Sequence, residues 1–107
     1  MIRAPAVAAL FPDLELVELT AWIERRWVRP EAAGDDGLVF RDIDVARVRL
    51  IHDLRRACDV PEEVVPLLLS VLDQMYEARG RLAAVLHALE EQPATVRDAV
   101  RAALESP

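Results

Sequence analysis

A chain of 107 residues is enough for one domain with a modest core, and 53% hydrophobic residues exclude a disordered tail. Its formal charge of −6 argues against non-specific affinity for nucleic acid and fits a basic protein partner better, because neutralising phosphates needs positive surface. No apolar run approaches the roughly 18 residues that mark a membrane span.

The opening Met1-Ile2-Arg3-Ala4-Pro5 lacks the apolar stretch and small-residue cleavage site of a secretory signal, and the lone Cys58 cannot close an internal disulfide. A reducing, cytoplasmic setting is expected. Every basic residue is arginine and asparagine is absent, which we read as codon bias in a GC-rich genome.

Ala6 to Leu10 predict a short first helix, ended at Phe11-Pro12 because the residue before proline avoids the helical region. Asp13 is positioned to cap a second helix running to Arg26 or Trp27. On it Leu16, Leu19, Ile23 and Trp27 recur at spacings of three and four, the stripe of a buried face. Glu15, Glu18, Trp22 and Arg25 form a second stripe on a different face.

Arg29-Pro30 stops the second helix. The turn chemistry of Glu31 to Gly37, followed by the strand-like Leu38-Val39-Phe40, predicts a small two-stranded wing. Asp42 would cap a third helix to Cys58, with Ile43, Ala46, Val48, Leu50, Ile51, Leu54 and Ala57 apolar and Arg47, Arg49, Arg55 and Arg56 on the other face.

A fourth helix begins near Asp59, which pairs with Glu62 in a box-like cap, or at Val60 with Pro61 as the first helical residue. Pro66 should remove a backbone bond and bend the first turns. Leu68, Met75, Leu82 and Leu89 then fall seven apart, as do Val64, Val71, Ala78 and Val85. That is the seam of two supercoiling helices, so Val64, Leu68, Val71, Met75, Leu82, Val85 and Leu89 are the expected homodimer interface. The same stripe would serve a long helix packed inside its own monomer, and it leaves the pairing direction open. Gly80 weakens the helix and would let helices approach closely. Val96, Val100 and Leu104 mark a weak last helix after Pro93.

Little here suggests bond chemistry. His52 and His87 lie on separate helices without metal-ligand spacing to Cys58, so no metal is expected. The three glycines are isolated, so no phosphate loop forms, and neither Ser70 nor Ser106 sits in a nucleophile elbow. His52 reads as a surface group and Cys58 as a half-buried small hydrophobe. We expect no enzyme and no cofactor.

This order predicts a mainly α fold: a winged helix-turn-helix domain over 1–58 and a long helical dimerisation arm with a short last helix over 59–107. In such a domain the second helix would read bases, but here it offers Glu15, Glu18 and Trp22, with Asp13 near its start. Two readings remain for that face. It is an ordinary solvated surface with Trp22 tucked against the wing, or a partner-binding surface with Trp22 as apolar anchor and the acids selecting a basic partner.

The runs Trp27-Val28-Arg29-Pro30-Glu31, Phe40 to Arg47, and Asp59 through Leu72-Asp73-Gln74-Met75-Tyr76 resemble the CbpM-type chaperone modulators, small relatives of the MerR winged helix-turn-helix regulators. The resemblance covers roughly Ala6 to Leu89 and departs at the N-terminus, where the first helix is short. It implies a modulator that binds the basic J-domain of a DnaJ/CbpA-like co-chaperone and blocks its engagement of the Hsp70 chaperone DnaK. Asp13, Glu15, Glu18 and Trp22 are then the expected contact residues. The alternative is a MerR-like DNA-binding regulator that places Arg47, Arg49, Arg55, Arg56, Arg25 and Arg26 on phosphates. A third possibility is a structural dimerisation module without a further partner.

Overall fold

The computed structural model describes residues 2–106. It is mainly helical with one small antiparallel sheet, in the order β1 (Ile2–Arg3), α1 (Ala4–Ala9), α2 (Leu16–Glu24), β2 (Glu31–Ala32), β3 (Leu38–Phe40), α3 (Asp42–Arg56), α4 (Val65–Glu90) and α5 (Ala94–Glu105). Single 3-10 turns occupy Gly34–Asp36 and Glu62–Val64. The chain divides into two compact units, Met1–Leu69 and Ser70–Pro107.

The expected two-stranded wing is a three-stranded sheet in the order β1-β3-β2. Ile2 stands opposite Phe40 and Arg3 opposite Val39 on one side of β3, while Glu31 and Ala32 pair with Val39 and Leu38 on the other. A two-residue strand carries no periodicity, which is why β1 left no mark in the sequence pattern. The hairpin turns on Gly34 and Gly37, both at positive φ (58° and 79°), and the Ala33 N–H closes it on the Gly37 carbonyl at 2.8 Å.

Helix boundaries differ from the expected ones for local reasons. α1 starts at Ala4, because Pro5 is tolerated in a first turn whose N–H groups need no intrahelical partner. Asp13 does not cap α2; it adopts the left-handed region (φ 63°) in the turn, and Glu15 takes the cap position. Likewise Asp42 is the first helical residue of α3, with Arg41 at the cap. There Asp44 is the capping carboxylate: it accepts from the Arg41 backbone N–H (2.9 Å) and from its guanidinium Nε (3.0 Å). Arginine has no acceptor to return, so only half of a capping box forms. Pro66 removes no bond within α4, because the helix begins at Val65 and the proline lies in its first turn.

The core of the first unit lies where α1, α2, α3, the sheet and the start of α4 meet. Val7 and Phe11, Leu14, Leu19 and Trp22, Trp27 and Val28, Phe40, Val48 and Ile51, and Val65 and Leu69 are all buried. This unit therefore reaches Leu69 and passes the expected division after residue 58, since the first turns of α4 supply two core side chains.

The second unit has no such centre. From Asp73 to Ser106 only Leu89 and Val100 are half-buried, and no residue is buried. Val64, expected in the seam, sits in the 3-10 turn before α4 and is half-buried. Of the other seam residues Val71 (56% exposed), Met75 (37%), Leu82 (58%) and Val85 (63%) are open, while Leu68 and Leu89 are half-buried. Gly80 has no atom within 4 Å of where a Cβ would stand. It lies two residues past Ala78, about 200° round the helix and away from the seam, so it has no part in a close approach there.

Candidate protein-binding surface

α2 buries Leu19 and Trp22, with Ile23 half-buried beside them, and turns Leu16 and Val17 outward. The expected buried stripe ran through Leu16, which is 44% exposed, whereas Trp22 is only 2% exposed. Size decides this rotation. An indole can bury on the order of 150–250 Å² of surface, more than a leucine, so the helix settles with its largest apolar side chain inward. Trp22 is a core residue and cannot anchor a partner.

The other three expected contact residues are not equivalent. Asp13 and Glu15 are exposed, and among the described residues no salt bridge holds their carboxylates. Glu18 is held in a two-pronged pair with Arg56 at 2.6 and 3.1 Å, and Arg56 also donates to the Asp13 backbone carbonyl at 3.0 Å. Hydrogen bonding to Glu18 is the main cause of an Arg56 pKa above its ordinary value. Glu18 thus fastens α2 to the end of α3. The open face of α2 consists of Val17 (78% exposed), Thr20 and Glu24; Glu15 at the cap position and Asp13 in the preceding turn are exposed separately. Val17 and Glu24 were not singled out from sequence. Their spacing of seven, with Thr20 between, is the signal that would have found them once Trp22 is placed inward.

The arginines expected to form a phosphate-binding face of α3 are engaged within the chain. Arg47 Nε donates to the Trp27 carbonyl beyond the end of α2. Arg55 donates to the Val60 carbonyl at 2.7 Å in the turn before α4, and the Arg49 guanidinium lies 5.1 Å from the centre of the Phe11 ring. Arg25 pairs with Glu62 and stacks over Trp27 at 5.2 Å. Arg41 bridges Asp44 and Glu31, and hydrogen bonding to Asp44 is the first cause of its raised pKa.

His52, expected at the surface, is half-buried. Its Nε2–H donates to the Pro12 carbonyl at 2.8 Å, and its ring centre lies 5.5 Å from that of Phe11. Cys58, expected half-buried, is exposed just past α3, where the chain leaves the core through the left-handed Asp59 (φ 54°). Among the described residues, no group of three or more His, Cys, Asp or Glu side chains could hold a metal ion, and no helix is long and apolar enough to cross a membrane.

Comparison with known proteins adds no relative: no family model matches this chain, and no curated protein or solved structure matches it.

Proposed function

We propose that this chain is a non-enzymatic modulator that occupies the basic J-domain surface of a DnaJ/CbpA-like co-chaperone and blocks its engagement of the Hsp70 chaperone DnaK. In this reading α1 and α2 are the paired helices of a MerR-like winged helix-turn-helix, the β2–β3 hairpin is the wing, and the apolar seam of α4 pairs with a second copy. The observation that carries the reading is the open surface of α2 and its approach: Val17 stands 78% exposed on the face it shares with Thr20 and Glu24, and Asp13 and Glu15 are exposed ahead of the first turn. Such a face rejects phosphate and suits a basic helix with a small apolar centre. Val17 takes the anchoring role first expected of Trp22, and Glu18 holds the surface in place through Arg56.

A MerR-like DNA regulator is the weaker reading. Phosphates would have to displace Arg47, Arg55 and Arg56 from oxygens that this chain already supplies.

Calorimetric titration against the J-domain of the CbpA-like protein of the same genome tests the proposal. Micromolar or tighter binding is expected, weakening as salt is added. The double variant Glu15→Arg/Glu24→Arg should bind at least about tenfold more weakly, through loss of attraction and new repulsion. Absence of binding at low salt would remove the co-chaperone reading, and salt-sensitive DNA binding would then favour the regulator.

A further inference from the structure

The turn that joins α1 to α2 places an aspartate where glycine is usual. The Leu14 N–H reaches back to the Phe11 carbonyl at 3.4 Å, with Pro12 second in the turn and Asp13, at φ 63°, third. Proline holds its own φ negative, so a positive φ at the third position leaves a type II turn. An aspartate there is crowded by its own backbone, and a type I turn would close the same ends without that crowding. The two turns differ by a flip of the Pro12–Asp13 peptide, which sends the Pro12 carbonyl to opposite sides.

A donor outside the turn is therefore needed to favour type II. α3 carries Arg49, His52 and Arg56 at spacings of three and four, hence on one face, and each meets one of three successive turn residues. The Arg49 guanidinium lies 5.1 Å from the Phe11 ring centre, the His52 Nε2–H donates to the Pro12 carbonyl at 2.8 Å, and Arg56 donates to the Asp13 carbonyl at 3.0 Å. The His52 bond is the one that depends directly on the flip, because in a type I turn the Pro12 carbonyl would face away from α3. Only 12% of the His52 side chain is exposed, so water competes weakly for its ring N–H.

We propose that His52 is a positioning residue: its bond from α3 latches the Pro12–Asp13 peptide in the type II orientation and thereby sets where the exposed Asp13 carboxylate stands for a basic partner. The latch is a property of the chain alone, whereas its effect on a partner rests on the co-chaperone reading above.

Nuclear Overhauser spectra of the full chain read the latch directly, since the Pro12 Hα lies close to the Asp13 N–H in a type II turn and farther from it in type I. The cross-peak should be strong in the wild type and in His52→Gln, whose amide can donate to the same carbonyl, and weak in His52→Leu. Adding Asp13→Gly to His52→Leu should restore it, because glycine takes a positive φ unaided. In calorimetric titration against the J-domain of the CbpA-like protein, His52→Leu should weaken binding at least about threefold and His52→Gln should not, since only chains in the type II state present Asp13 correctly. On an Asp13→Asn background, which lacks the carboxylate, His52→Leu should have no further effect on affinity.

A weak cross-peak in the wild type, or a strong one retained in His52→Leu, would overturn the latch whatever the partner. A cross-peak lost with affinity unchanged would overturn the positioning role and leave the co-chaperone reading standing. A wild type that binds no J-domain would overturn that reading and the positioning role together, while the cross-peak still decides the latch.

Discussion

Arg26 closes α2 in the left-handed region at φ 62°, where a side chain crowds its own backbone and glycine does not. The Trp27 N–H reaches back to the Trp22 carbonyl at 2.9 Å across this residue, so the geometry is held by the helix end itself. Arg26→Gly should stabilise the fold by about 0.5–1 kcal/mol, seen as a higher urea midpoint, with the gain reduced by the greater freedom of glycine in the unfolded chain. Asp59 (φ 54°) tolerates this conformation better, so Asp59→Gly should gain less. An unchanged or lower midpoint for Arg26→Gly would mean that the arginine side chain supports the native state. At this scale the sequence was legible in type but not in role. The acids near the start of α2 were visible, yet Asp13 serves as a turn residue, Glu18 as a strut to Arg56, and Trp22 as core. These roles depend on partners dozens of residues away, which no local spacing encodes.

Among the elements, α4 was the most legible, because apolar residues recurring every seven positions hold one side of a helix over its whole length. Its proline lies earlier in the helix than the pattern suggested. Pro66 costs a bond only where an earlier helical carbonyl awaits it, and α4 starts one residue before it. Gly80 is the opposite case, a true interior glycine on the polar side of the helix with open space around it. Gly80→Ala should therefore stabilise α4 by about 1 kcal/mol and leave the oligomeric state unchanged, as read by circular dichroism together with light scattering. A change of oligomeric state in that variant would place Gly80 within the proposed pairing surface. The sheet was half legible. β3 announced itself in Leu38-Val39-Phe40, whereas β2 forms from Glu31–Ala32, which the sequence reads as turn, and β1 exists only because Ile2 meets Phe40 across the fold.

For the whole molecule, the first unit has a continuous core and the second, among the described residues, has none; on the proposed seam pairing, the helical content of the second unit depends on association. The thermal midpoint of the helical signal should rise by several degrees for each tenfold increase in protein concentration, since association stabilises only the folded chain. A midpoint that does not move with concentration would indicate that α4 and α5 stand alone. Composition and periodicity by themselves determined the helical class, the hairpin turn, the long seam and the acidic balance, because each is a property of neighbours along the chain. Tertiary structure alone decided which face of α2 is open, that Arg47, Arg55 and Arg56 serve this chain's own carbonyls and carboxylates, and that the core extends to Leu69. Burial and ion pairing are settled by competition among distant residues for one interior, and there the largest side chain, Trp22, prevailed over Leu16.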